Sequence, residues 1–142
     1  MTTKDGHMYA HQQHHYRQQE AQTASPAQLV LMLYNGTLAE IARAGRGLAA
    51  SPVDLADVHD CLTRAQAIVT ELLVTLDLEG GGVMAANLAS LYDFCLDRLV
   101  AANIAKSADG LAEAADVLTG LRDAWEQACV LGHPAPVAVV VG

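Results

Sequence analysis

The chain has 142 residues with 52% hydrophobic and 4% aromatic content, and 16 acidic against 8 basic side chains give it a formal net charge of -8. That length suits one domain able to bury about 68 to 70% of its unfolded surface, and the Ala- and Leu-rich composition is that of packed helices. The charge, with only two Lys, excludes a phosphate-backbone partner such as nucleic acid, which needs clustered Lys and Arg.

In chain order, residues 1–24 are polar and Gln-rich, hold four of the six His, and show no sustained apolar period. His7, His11 and His15 would share one face of a helix, the spacing of a divalent-metal site. The segment lacks a carboxylate at matching spacing and precedes the fold, so no metal site is expected. It also lacks the hydrophobic core of a signal peptide, and no apolar run approaches the ~20 residues of a membrane span. A cytoplasmic protein without membrane insertion is expected.

Residues 25–131 read as four helices. Ser25-Pro26-Ala27-Gln28 is an N-cap, a first-turn proline and a capping-box Gln, which predicts helix one from Pro26 to about Ala49. Its inward stripe reads Leu29, Leu33, Thr37, Ile41, Ala44 and Leu48. Leu31 and Met32 project off that stripe, so the first two turns are apolar nearly all round. Ser51-Pro52-Val53-Asp54 repeats the starting device, and Leu55, Val58, Leu62, Ala65, Val69, Leu72 and Leu76 carry helix two to the break at Gly80-Gly81-Gly82.

Helix three carries Leu88, Leu91, Cys95, Leu99 and Ala102 as one stripe and Tyr92, Leu96, Leu99 and Asn103 as a second row, and Ser107 to Gly110 breaks it. Helix four shows Leu111, Ala114, Leu118, Leu121, Trp125 and Ala128 inward, with Glu113, Asp116, Asp123 and Gln127 outward. Short connections between long helices predict an all-α, antiparallel up-down four-helix bundle preceded by a flexible or capping N-terminal segment. Residues 132–142 form a Pro/Val tail. The surplus apolar rows on helices one and three predict a groove that receives an amphipathic segment from a partner.

No catalytic pattern appears: there is no Ser/His/Asp, Cys/His or phosphate-loop arrangement, and the core lacks the Glu-x-x-His pairs of a di-iron bundle. Neither enzyme activity nor a cofactor is expected. Cys61, Cys95 and Cys129 are odd in number, far apart and without CxxC spacing, so they are expected as reduced packing residues. Arg43 and Arg46 are expected on a solvated face, Trp125 in the core, and Tyr34 and Tyr92 as core aromatics whose hydroxyls reach the surface.

The stretches TASPAQLVLMLYNGTL from Thr23, RAQAIVTELLVTLD from Arg64 and NLASLYDFCLDRLVAANIAKSADGLAEAADVLTGLRDAW from Asn87 carry more. Together they resemble the FliS-type flagellar secretion chaperones over roughly Tyr16 to Ala128. The resemblance implies a cytoplasmic bacterial protein that binds the C-terminal segment of flagellin, prevents premature polymerisation and delivers it to the flagellar type III export gate. Tyr16 matches a Tyr of an N-terminal cap that in the family lies over part of the flagellin groove and is linked to the export gate. Leu33-Tyr34-Asn35-Gly36 matches the family's LYDG with Asn for Asp, and Leu91-Tyr92-Asp93, Arg98-Leu99 and Ala102-Asn103 match its helix-three signature. The expected partner-binding residues are Tyr16, Leu31, Met32, Tyr34, Tyr92, Leu96 and Asn103. The competing reading is a helical-bundle interaction module unrelated to flagella.

Overall fold

The computed structural model describes residues 24–132, which form four long helices: α1 (Pro26–Ala49), α2 (Leu55–Val74), α3 (Gly82–Ala105) and α4 (Leu111–Leu131). Tyr9, Tyr16, the three spaced histidines and the tail beyond Gly132 lie outside the described residues. α1 starts where its capping box requires. The Gln28 amide donates to Ser25 Oγ at 3.2 Å, and the Ser25 amide donates to Gln28 Oε1 at 2.8 Å, which satisfies two of the free amides of the first turn.

α2 starts later than the repeated Ser-Pro pattern predicts. Its N-cap is Asp54, whose carboxylate accepts from the Asp57 amide at 3.1 Å, and Ser51 and Pro52 belong to the connection. Asp at the N-cap also places a negative charge at the positive end of the helix dipole, which the Ser51 hydroxyl would not. α2 also ends earlier, at Val74, well before the glycine triplet. Thr75 turns its hydroxyl onto the Leu72 carbonyl at 2.7 Å, and the Asp77 carboxylate accepts from the Gly80 amide at 2.8 Å, closing a separate turn. Leu76, between the end of the helix and that turn, remains buried, so its side chain fulfils the inward period after the helix has stopped. At the other end of α3, Lys106 adopts a left-handed C-cap and Gly110 follows at φ 85. A side chain at Gly110 would be strained there and would sit 3.0 Å from the Arg98 side chain.

The helices form a closed ring in the order α1, α2, α3, α4, each packed on its two neighbours, with α1 and α2 most extensively joined and α3 and α4 least. Trp125 near the end of α4 donates from Nε1 to the Ala27 carbonyl at the start of α1 at 2.9 Å, which fixes those helices as antiparallel. The core is one cluster running from Val30 and Tyr34 through Leu62, Val69, Leu99 and Leu118 to Trp125. Truncating a fully buried Leu such as Leu118 to Ala would cost roughly 2 to 5 kcal/mol. Surface ion pairs tie α1 to α2, Arg43 to Asp57 at 2.8 Å and Arg64 to Glu40 at 2.9 Å. Arg43 is exposed, on the solvated face expected of it, and is paired there across the helices.

Two stripe assignments need correction. In α1 the buried residues are Val30, Tyr34, Thr37, Ile41 and Ala44, so the upper part of the stripe lies one residue beyond Leu29 and Leu33, about 100° round the helix. The first two turns are apolar all round, and periodicity alone does not choose a face there. In α3 Cys95, Leu99 and Ala102 are buried as the first stripe requires, but Leu91 is exposed and Tyr92 of the second row takes its place in the core. In both helices it is a tyrosine that turns inward, because each supplies the other's hydrogen-bond partner. Among the described residues no helix is long and apolar enough to cross a membrane.

Candidate partner-binding groove

At the heart of the bundle, Tyr34 of α1 and Tyr92 of α3 are 2% and 1% exposed, their rings tilted by 47° with centroids 6.4 Å apart. Their hydroxyls share a hydrogen bond at 2.5 Å, so each satisfies the other inside the core and neither reaches the surface as the sequence suggested. Burial raises the pKa of both phenols, and the neighbouring hydroxyl raises that of Tyr92 further, so both stay protonated at neutral pH.

Beside this pair the bundle leaves a cavity of about 310 Å³ open to the surface. Tyr34 contributes from α1, Met84 and Leu88 from the first turns of α3, and Leu121, Ala124, Trp125 and Ala128 from one face of α4. Its origin lies in residue size. Ala124 and Ala128 are small where α4 faces α3, and Gly81-Gly82 open α3, so these helices do not close over the core as α1 and α2 do. The volume sits at the low end of pockets that take ligands, about 300 to 1,000 Å³, and its wall is apolar. Met84 and Ala124 were not singled out from the sequence. The available signal was Met84 one turn before Leu88, and two alanines at i and i+4 on a stripe otherwise made of Leu and Trp.

The other expected residues lie apart from this cavity. Leu31 and Met32 are half-buried on α1, and Leu31 packs against the core cluster while Met32 stands outside it. Leu96 is half-buried on α3 and packs on the core. Asn103 bridges helices: its Nδ2 donates to Gln66 Oε1 at 3.2 Å and Thr63 Oγ1 at 3.4 Å on α2. Its Oδ1 accepts from Lys106 Nζ at 2.7 Å and lies 3.2 Å from His59 Nδ1. The structure therefore brings Tyr34 and Tyr92 together and leaves Met32 on α1 apart from Leu96 and Asn103, which lie on α3.

The thiols match a packing role. Cys61 and Cys95 are buried and Cys129 is half-buried, all three unpaired. Burial pushes the Cys95 thiol up to about 11, and burial together with Asp57 raises that of Cys61. Among the described residues no group of three or more His, Cys, Asp or Glu could hold a metal ion.

The sequence model of one protein family, described as flagellar protein FliS, matches residues 8–131. The chain belongs to the FliS family. It is 38% identical over 113 residues to the flagellar secretion chaperone FliS of Bacillus subtilis, covering 80% of this chain and 82% of the relative. It is 37% identical over 112 residues to the flagellar secretion chaperone FliS of Campylobacter jejuni, covering 79% and 86%. With that of Salmonella typhimurium it shares 35% over 106 residues, 74% of this chain and 77% of the relative. These FliS relatives are named as chaperones, and the four-helix bundle fits a binding role. The FliS match stops at Leu131, so the tail from Gly132 is outside the family's common part.

Proposed function

We propose that this FliS-family chain is a non-enzymatic export chaperone that binds the C-terminal segment of flagellin in the bacterial cytoplasm. By covering that segment it prevents premature polymerisation, and it delivers the subunit to the flagellar type III export gate. The observation that carries the reading is an apolar groove left unfilled in a bundle whose relatives are named flagellar secretion chaperones.

The mechanism is coupled folding and binding. A segment unfolded on its own loses conformational freedom when it docks, and the apolar area it buries offsets that loss. Met32 and Leu31 on α1, Leu96 on α3 and the groove beside Tyr34 offer apolar contact on different sides of the bundle, which suits a partner that wraps rather than one that plugs a single pocket. Tyr92 supports this surface from beneath by holding Tyr34 in place. Asn103 fixes α3 against α2 and presents a polar edge to the same partner. Tyr16, which lies outside the described residues, serves as part of a cap over the flagellin groove and as a contact for the export gate, the role its match to the family implies.

The test is circular dichroism of a flagellin C-terminal peptide mixed with the protein. Helical signal beyond the sum of the separate components is expected. A spectrum equal to that sum, with no complex on size-exclusion chromatography, would overturn capture of that segment.

A further inference from the structure

The cavity between α3 and α4 lies at the end of the bundle from which the chain leaves α4. Six large apolar side chains are exposed around that end: Val74 closing α2 and Leu78 after it, Val83 and Met84 opening α3, and Val130 and Leu131 closing α4. Gly132 then caps α4 at φ 76, a left-handed conformation that turns the chain off the helix axis. The chain continues as His-Pro-Ala-Pro-Val-Ala-Val-Val-Val-Gly, in which His133 is the one ionisable side chain.

We propose that this chain's own C-terminal segment, centred on Val137 to Val140, docks into the apolar groove between α3 and α4. The reach fits. Ala128, Trp125, Ala124 and Leu121 lie about 6, 10, 12 and 16 Å back along α4 from Gly132, at 1.5 Å per residue. With a reversal of direction at His133 and Pro134, Ala135 and Pro136 would advance about 3 Å each in the extended conformation that proline favours. Val137 to Val139 then come level with Trp125 to Leu121, where the wall is apolar. A segment of valine and alanine buries apolar surface there without bringing a charge into a site that has no partner for one. The occupant lies outside the part of the chain that the family model matches, which ends at Leu131. The docking does not depend on which partner uses the groove, and any partner that fills it must displace the segment.

The test uses the full chain with a photo-reactive benzophenone residue placed at Val139, irradiated at low concentration and mapped by mass spectrometry. Adducts within the same molecule, to Met84 or Leu88 of α3 or to Leu121 through Ala128 of α4, are expected. Adding Val137→Asp in the tail, which leaves the bundle untouched, should lower their yield on the order of ten-fold, because a carboxylate replaces a buried valine. Four outcomes would overturn the proposal: no adducts to these elements, adducts only between molecules, a yield unchanged by Val137→Asp, or adducts to the groove from a benzophenone at Tyr16 and none from Val139.

Discussion

The hydroxyl pair inside the core sets up a double-mutant cycle with a distinctive outcome. Tyr92→Phe removes one hydroxyl and leaves that of Tyr34, 2% exposed as a residue, without its partner, and Tyr34→Phe does the converse. A buried hydroxyl deprived of its hydrogen bond costs roughly 1 to 3 kcal/mol, whereas replacing both partners with apolar groups of the same shape is close to neutral. Phe retains the ring, so the packing term is nearly unchanged in all three variants. Each single variant should therefore lose about 1 to 3 kcal/mol, or roughly 3 to 12 °C in Tm for a chain of this size. The double variant should lie within about 1 kcal/mol of the parent, instead of at the sum of the two losses. Thermal and urea unfolding of the four proteins, followed by far-UV circular dichroism, provides the measurement. Strictly additive losses would show that the two hydroxyls do not depend on each other and would refute the reasoning.

The same pair predicts a pH dependence. Both phenols have pKa values raised above the ordinary 10.0, so their contribution to stability is complete below pH 10.0 and is lost as pH rises above it toward the folded values. Melts from about pH 8 to about pH 11 should show a steeper loss for the parent than for the double Phe variant, and parallel curves would contradict the burial of the phenols. On α1, Val30→Glu buries a carboxylate in the core and should cost about 3 kcal/mol or more, while Met32→Glu should cost under about 1 kcal/mol and weaken the flagellin complex instead. Equal losses of Tm would mean that the faces of α1 are misassigned. Among the thiols, Cys129 should be alkylated first in the native protein at neutral pH, with Cys61 and Cys95 reacting only on unfolding, and rapid labelling of Cys95 would count against its raised pKa.

How far the sequence disclosed the structure depends on the physics of each signal. The start of α1 was legible to the residue because a capping box is local: Ser25, Pro26 and Gln28 need only one another. The inward stripe of α4 was legible because its outer face is plainly charged, with Glu113, Asp116 and Asp123 leaving a single choice. The first two turns of α1 were not, since an apolar residue at nearly every position there leaves the choice of face to a contact 58 residues away, between Tyr34 and Tyr92, whereas Thr37, Ile41 and Ala44 of α1 and Cys95, Leu99 and Ala102 of α3 are buried as expected. The start of α2 misled because Ser51-Pro52 and Asp54 both resemble caps, and only the bond from Asp57 to the Asp54 carboxylate decides between them. The cavity that Met84 and Ala124 help to line was not legible in the sequence. It arises from what is missing, side-chain bulk at Ala124, Ala128 and the glycines before α3, and periodicity counts apolar residues without measuring the space between helices.

Capture of flagellin is tested most directly by calorimetric titration of the full chain with a flagellin C-terminal segment at several temperatures. One-to-one binding with a negative heat-capacity change is predicted, the mark of apolar surface buried as the segment folds onto the bundle. Absence of binding heat at every temperature, with no complex by size-exclusion chromatography, would contradict it.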